Sequence, residues 1–309
     1  MFPAFDPIER SRQVEKVIIN GDQRKYNTFR LEPFYGQIAT ARGVGCNLQC
    51  AFCWINPSKD HPENYGAFYS PQEVYDKLIE ISSNRFGRAI MTSLVRISGC
   101  EPTLGKEHLL SFLELCKKEI NNRRDFRGFL LETNGILLGN DEKYIKALSE
   151  FKEHLIVRLS FKAGTPEEFE RKTGARKEFF DLPFRALESL KRYGFVYRLA
   201  SMSQDPALMP PEERSSLLER IVHIGIENLS LLEEERTDLF GIAIRRLTER
   251  GIDLGQIGKR VYLSLPNGIS LEELKNVTFE TIESPCSGCT RNNPYHGHNT
   301  EDDLDEKLI

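Results

Sequence analysis

The amino-acid sequence predicts an α/β fold, an incomplete barrel of about six β/α units with an N-terminal β-hairpin extension and an irregular C-terminal extension. Two observations carry this prediction. Short apolar runs alternate with amphipathic stretches of helical period up to about residue 250. One of these runs, Leu155–Phe161, is apolar on both faces, which is typical of a buried parallel strand. Since a closed barrel has eight units, we expect a partial TIM barrel.

The N-terminal region is predicted to hold an arm followed by a hairpin. Residues 1–13 contain prolines among mixed residues and indicate an arm. Val14–Ile19, Thr28–Leu31 and Gln37–Thr40 are extended runs, and the Asn20-Gly21 pair favours a turn between the first two. We place the domain boundaries at residues 1–35 (arm and hairpin), 36–250 (barrel) and 251–309 (extension).

The barrel region alternates predicted strands and helices. Ser70-Pro71-Gln72-Glu73 combines an N-cap, a first-turn proline and acidic first-turn residues, so a helix is expected from there to about Ser83. Further strands are predicted at Ser93–Ser98, Phe129–Glu132, Leu155–Phe161, Phe195–Ser201 and Ile226–Leu231. Further helices are predicted at Gly105–Ile120, Asp141–Glu150, 165–172, 177–193, Pro211–His223 and 236–250. This alternation favours parallel strands with right-handed crossovers.

Composition limits the protein class, the binding partners and the cellular location that we expect. The 309-residue chain is 39% hydrophobic and 28% charged, as expected of a globular protein. Its formal net charge of -4 gives no general attraction to nucleic acid or to an anionic membrane. We see no signal peptide and no apolar run that would span a bilayer, so we expect a cytoplasmic, reducing location. There, grouped cysteines more often bind metal or react than form disulfides.

Three of the seven cysteines form one cluster, Cys46, Cys50 and Cys53, with the spacing C-x3-C-x2-C. This spacing also fits one face of a helix, so a buried helical stripe of cysteines is an alternative. The glycines at 43 and 45 and the asparagine at 47 disfavour a helix. An iron–sulfur cube normally takes four cysteines, so three predict a cluster with one iron open to a substrate.

Unusual motifs also follow three predicted strands: Ser98-Gly99-Cys100-Glu101-Pro102-Thr103, Glu132-Thr133-Asn134-Gly135 and Ser160-Phe161-Lys162. Each alone is explained as a helix cap, a turn or a solvated lysine. The carboxyl ends of parallel strands meet at one edge, where ligands bind. Together with the cysteine loop, the motifs therefore predict one functional site at that edge.

These segments resemble a known family. GCNLQCAFCW is similar to the signature loop of the radical S-adenosylmethionine (radical SAM) superfamily, and SGCEPT resembles its Gly-Gly-Glu-Pro motif. LETNG and SFK resemble later strand-end motifs of its activating-enzyme branch. The resemblance runs from about residue 38 to residue 230 and is greatest to predicted Fe–S oxidoreductases related to glycyl-radical (pyruvate formate-lyase) activating enzymes.

The resemblance implies a role for each motif residue. Cys46, Cys50 and Cys53 would bind three irons of a [4Fe–4S] cluster, whose fourth iron would chelate SAM. The residues expected to bind SAM are Gly99, Cys100 and Glu101 at its amino group, Glu132 at its methionine portion or ribose, Ser160 at the ribose and Lys162 at the carboxylate. Thr133 and Asn134 are also expected to bind this cofactor. Phe52 and Trp54 would pack beside the cluster and the adenine.

The implied activity is reductive cleavage of SAM to a 5′-deoxyadenosyl radical that abstracts hydrogen from an unidentified substrate: a polypeptide, a tRNA base or a small metabolite. An external low-potential electron donor of the ferredoxin or flavodoxin type would be needed. No catalytic residue is assigned. A non-catalytic Fe–S or zinc protein that carries electrons or stabilises an assembly is the alternative. Cys100 replaces the usual second glycine of its motif, and we expect it to be tolerated there rather than to take part in the chemistry.

Cys286 and Cys289 form a second pair, near His296 and His298. They could bind zinc or an auxiliary iron–sulfur cluster, donate a hydrogen atom, or be unliganded thiols. We expect Cys116 to be a core residue. The basic stretches Lys117-Lys118…Arg123-Arg124 and Arg245-Arg246…Arg250 are expected to be solvated helix faces.

Overall fold

The computed structural model describes residues 3–33, 37–55, 57–83, 94–122, 128–237 and 241–253. The pair Cys286 and Cys289, with His296 and His298, lies outside these residues, so their metal site stays a prediction, as do the domain boundaries. Within the described part, one mixed nine-stranded sheet forms the centre of the molecule and helices cover one of its faces. None of the described helices is both long and apolar enough to cross a membrane.

The N-terminus forms a helix, α1 (Pro7–Ile18), and then the predicted hairpin. The arm over residues 1–13 and the strand at Val14–Ile19 were therefore wrong predictions. Asp6 caps the helix, because its Oδ1 accepts hydrogen bonds from the backbone N–H groups of Ile8 at 2.8 Å and Glu9 at 3.0 Å. Val14 and Ile18, four residues apart, then share one buried face. The hairpin follows as β1 (Ile19–Asn20) and β2 (Gln23–Glu32).

The sheet combines this hairpin with six parallel strands. In chain order the remaining strands are β3 (Ile38–Gly43), β4 (Ala67–Tyr69), β5 (Leu94–Ser98), β6 (Gly128–Thr133), β7 (Leu155–Phe161), β8 (Val196–Ser201) and β9 (Leu232–Glu234). In space the order is β1-β2-β3-β5-β6-β7-β8-β9, with β4 paired to β2. β2 is antiparallel to β1, β3 and β4, and the path from β3 to β9 is parallel throughout. This confirms the prediction of a partial TIM barrel with an N-terminal hairpin.

Helices follow the parallel strands as predicted, with few exceptions. They are α2 (Pro71–Ser83), α3 (Lys106–Asn122), α4 (Ile136–Asn140), α5 (Glu142–Leu148), α6 (Pro166–Thr173), α7 (Leu182–Tyr193), α8 (Pro211–Ile224) and α9 (Gly241–Glu249). The strand predicted at Ile226–Leu231 was wrong, because that segment is a 3₁₀ helix and the strand is β9. β4 and α4 were not predicted, because both are too short to show a hydrophobic period.

The two faces of the sheet differ in chemistry. Toward the helices, alternate strand residues form one apolar core, to which Ile97, Leu131 and Leu159 belong. The opposite face, here called the inner face, carries Thr40, Arg96, Ser98, Glu132, Arg158 and Ser160, as the strand registers show. Barrel interiors are ordinarily filled by bulky branched side chains. Because charged side chains replace these apolar residues on the inner face, they must form ion pairs with one another.

Candidate functional site

The cysteine loop leaves the carboxyl end of β3. Residues 44–55 form neither helix nor strand, so the alternative of a helical cysteine stripe was wrong. Cys50 is buried, Cys46 and Cys53 are half-buried, and all three are free thiols. A turn in which the N–H of Cys53 donates to the carbonyl of Cys50 at 3.2 Å brings the last two cysteines together.

Neighbouring elements hold the backbone of this loop. The N–H groups of Gln49 and Ala51 donate to the carbonyls of Thr173 at 2.9 Å and Lys172 at 2.8 Å, at the C-terminal end of α6. A helix C-terminus has carbonyls without partners inside the helix, so α6 is suited to accept both bonds. The Lys172 side chain is fully buried and forms an ion pair with Glu213 of α8 at 2.6 Å. That pair fixes α6, and with it the loop, against α8.

The thiols of the cysteine loop influence one another electrostatically. Burial raises the pKa of Cys46, and Glu101, Cys50 and Cys53 raise it further. Burial also raises the pKa of Cys50, although Lys162 and Lys59 partly oppose this. The N–H of Leu48 donates to Sγ of Cys46 at 3.4 Å. With their pKa values raised, the thiols of Cys46 and Cys50 retain their protons when no metal is bound, whereas iron would bind them as thiolates.

This donor set fits an iron–sulfur cluster. Soft thiolate ligands and N–H donors directed at sulfur are features of such sites. Among the described residues, no three His, Cys, Asp or Glu side chains are arranged to hold a single metal ion. In a cube each thiolate binds a different iron, so the three sulfurs need not converge on one point.

Glu101 ties the motif at residues 98–103 to the motif at residues 132–135. Its carboxylate is buried and accepts four hydrogen bonds. The donors are the N–H and hydroxyl of Thr103 at 3.2 and 2.7 Å, the hydroxyl of Thr133 at 2.7 Å and the N–H of Asn134 at 2.9 Å. The Glu101 carboxylate therefore makes its hydrogen bonds within the protein, so the backbone of this motif is the part that a cofactor could contact.

The motif at residues 132–135 is in turn tied to the cysteine loop. The side-chain amide of Asn134 donates to Oδ1 of Asn47 at 2.7 Å, and Asn47 donates to the hydroxyl of Ser11 at 3.1 Å. All three side chains are buried. One hydrogen-bonded network thus runs from α1 through the loop to the ends of β5 and β6. Cofactor contacts by Thr133 and Asn134 stay a prediction.

Cys100 occupies a tight place beside β3. A Cβ on Gly43 would collide with Sγ of Cys100, so a larger residue at position 43 would require this thiol to move. The buried guanidinium of Arg24 donates from Nη2 to Sγ of Cys100 at 3.3 Å. Burial raises the pKa of Cys100 to about 11, so its thiol stays neutral near pH 7. Because the thiol is turned toward Gly43 and Arg24, its position agrees with the expectation that cysteine is tolerated here in place of the usual glycine.

Glu132, Ser160 and Lys162 share the inner face near the carboxyl edge. Glu132 accepts from Nη1 of Arg96 at 3.0 Å and from the hydroxyl of Ser98 at 3.1 Å. Nζ of Lys162 donates to Oγ of Ser160 at 2.6 Å. Since Lys162 also acts on the Cys50 thiol, this lysine lies beside the cysteine loop.

The two aromatic residues of the loop have different surroundings. Phe52 is buried in the apolar core, whereas the Trp54 side chain is 38% exposed. The guanidinium of Arg42 lies 5.5 Å from the centroid of the Trp54 ring, within the range of a cation–π interaction. Their contacts with a cluster or an adenine stay predictions.

Several residues that support the site were not predicted from the sequence. Arg24 donates to the carbonyls of Pro102, at 2.8 Å, and of Glu101, at 2.9 Å, and also bonds the carbonyl of Leu104. Arg246 was assigned to a solvated face but bonds the cysteine loop. A signal for Arg246 existed, because it lies three residues after the buried Ala243 and so on its helix face.

Known protein families and structures identify the family of this chain. The model of the radical SAM superfamily matches residues 41–202. A radical SAM methyltransferase from Sphaerobacter thermophilus is 12% identical at a TM-score of 0.51, with 74% of this chain and 71% of that chain covered. No curated protein matches the chain.

Two further solved structures are similar over part of their length. AnSMEcpe with bound AdoMet is 23% identical at a TM-score of 0.45, with 62% of this chain and 48% of that chain covered. SuiB from Streptococcus suis bound to S-adenosylmethionine is 16% identical at 0.46, with 67% and 44% covered. The chain thus spans less than half of either protein. The methyltransferase supports the fold alone. The family model covers more than half of the chain, so the chain belongs to the radical SAM superfamily, whose members bind a [4Fe–4S] cluster and SAM.

Proposed function

We propose that this radical SAM enzyme binds its [4Fe–4S] cluster through Cys46, Cys50 and Cys53 and cleaves SAM reductively to abstract hydrogen from a substrate. The observation that supports this most is the grouping of three free thiols with Lys162 at the carboxyl edge of the parallel strands. When bound, the reduced cluster supplies the electron that splits SAM into methionine and a 5′-deoxyadenosyl radical.

The protein's own side chains would orient SAM. Lys162 lies beside Cys50, where its ammonium group would bind the carboxylate of SAM and Ser160 would contact the ribose. Glu132 is held by Arg96 and Ser98, so its carboxylate is fixed before a ligand binds. Glu101 would position its motif for the amino group, because its own carboxylate is already occupied.

The inner face supports a polar substrate. Arg158 pairs with Glu233 and Glu235, each at 2.6 Å, and Glu132 lies between Arg96 and Arg158 at 3.0 and 3.9 Å. An apolar ligand placed over these charged groups would remove their water without offering hydrogen bonds in its place. A polypeptide, a tRNA base or a polar metabolite satisfies this condition. The likeness to activating enzymes favours SAM as a consumed co-substrate, reduced by a ferredoxin- or flavodoxin-type donor.

The test is anaerobic reconstitution with iron and sulfide, followed by dithionite and SAM. We expect a brown protein that releases 5′-deoxyadenosine, and Cys50→Ala should lose both cluster and cleavage. Cys116→Ala is a matched control, because it removes a buried thiol outside the site and should retain both. A wild-type protein that binds the cluster but forms no 5′-deoxyadenosine would instead support the non-catalytic electron-transfer alternative.

A further inference from the structure

Arg246 of α9 contacts the cysteine loop, although it lies far from the loop in sequence. Its Nη1 donates to the carbonyls of Cys53 at 2.5 Å and Ile55 at 2.8 Å, and its Nη2 pairs with Oδ2 of Asp60 at 2.6 Å. The Arg246 side chain is only 12% exposed. A planar guanidinium can make all these bonds in one orientation, which a lysine cannot do. Arg246 therefore closes the end of the loop after its third cysteine.

Asp60 joins two cations at this place. Its other oxygen pairs with Nζ of Lys59, a buried residue whose charge acts on the Cys50 thiol. The loop thus has Lys59, Arg246 and Lys162 near its thiols and one carboxylate, Asp60, between the first two. Net charge, hydrogen bonds and solvent exposure set the reduction potential of an iron–sulfur cluster. Positive charge stabilises the reduced form, which carries one more electron.

We propose that Arg246 is a positioning residue for the cluster that also raises its reduction potential, and that Asp60 opposes this effect by neutralising part of the local positive charge. The inference rests on the proposed assignment of Cys53 as a cluster ligand. Arg246 would fix the backbone of Cys53 through its hydrogen bonds and act on the cluster through its charge. These two contributions can be separated by substitution.

The experiment is a redox titration of the reconstituted holoprotein, followed by EPR of the reduced cluster, with iron and sulfide counted per chain. It uses neither SAM nor substrate. Arg246→Gln should shift the potential to more negative values and lower the iron content. We expect about a tenfold change in the reduction equilibrium, or about 59 mV for a one-electron couple. Arg246→Lys keeps the charge and should restore the potential but not the full iron content.

Asp60→Asn should shift the reduction potential of the cluster in the opposite direction. The amide can still accept a bond from Arg246, but the negative charge is gone, so the potential should become more positive. A purely structural role would not shift the potentials of the two variants in opposite directions. If Arg246→Gln fails to assemble a cluster, the shift in Asp60→Asn alone decides the sign. Arg245→Gln is the matched control, because Arg245 is the adjacent, exposed residue of the same helix and should leave potential and iron content unchanged.

Two results would overturn the proposal: a wild-type potential in Asp60→Asn, or wild-type iron content and potential in Arg246→Gln. Failure of the proposed function is a separate outcome. A wild-type protein that makes no 5′-deoxyadenosine but still shows the opposite shifts would refute SAM cleavage and leave the role of Arg246 intact.

Discussion

Replacing Glu101 with glutamine tests whether this carboxylate is a structural tie. The amide oxygen can keep the three bonds that Oε1 accepts from Thr103 and Thr133, but the amide N–H₂ then faces the N–H of Asn134. Loss of one bond to a charged group costs about 1.5–3 kcal/mol, and leaving a buried donor unpaired costs about 1–3 kcal/mol. Because these terms overlap, we expect Glu101→Gln to lower the free energy of unfolding by about 3 kcal/mol.

The assay is denaturant unfolding of the iron-free protein, with iron content after reconstitution as a second readout. Asn134 holds Asn47 of the cysteine loop, so the destabilised variant should also bind less iron. Glu107→Gln, at an exposed position in the first turn of α3, should change stability by less than about 0.5 kcal/mol. Wild-type stability in Glu101→Gln, with SAM binding lost, would refute this reasoning and indicate that the carboxylate contacts SAM directly.

Two other predictions concern buried groups near the site. Burial lowers the pKa of His108 from 6.5 to about 4, so the stability it contributes is fully present above pH 6.5 and is lost as the pH falls toward 4. Between pH 7 and pH 5 this loss is about 2 kcal/mol. In His108→Gln, the difference between the free energies of unfolding at these two pH values, measured with denaturant, should be smaller by that amount. An undiminished difference would contradict the lowered pKa of His108. Cys100→Gly should retain cluster and SAM cleavage, since the thiol contacts Arg24 and Gly43; loss of cleavage with the cluster intact would show that the thiol takes part.

The sequence predicted the barrel because its strands carry a local signal. Leu155–Phe161 is apolar on both faces, and the strand begins and ends where predicted. Helix α1 was missed because Val14, Val17 and Ile18 resemble an extended run when the Asp6 cap is not weighed. Local pattern thus identifies elements but is ambiguous where apolar residues are closely spaced.

The long-range contacts that hold the site in place could not be predicted from local sequence patterns. Spacing grouped the three cysteines, but nothing local indicates that Arg24 reaches the carbonyls of the loop after β5. The helix face of Arg246 indicates that this side chain is covered, but it does not identify Cys53 as the partner. Both contacts join residues that lie far apart in sequence. The Tyr26–His108 pair is similar: Nδ1 of His108 donates to the carbonyl of Asp22 at 2.7 Å, so Nε2 accepts from the Tyr26 hydroxyl at 2.9 Å.

The anchoring of the cysteine loop bears on how the protein acquires its metal. In zinc fingers the metal drives folding, because the ligands have no fixed arrangement without it. Here the carbonyls of Lys172 and Thr173, the side chain of Asn134 and the guanidinium of Arg246 hold the loop through protein contacts alone. Iron insertion would then be a late event on an already folded template. Apo-protein made in iron-poor cells should accumulate in a native form and be convertible to holoprotein without refolding.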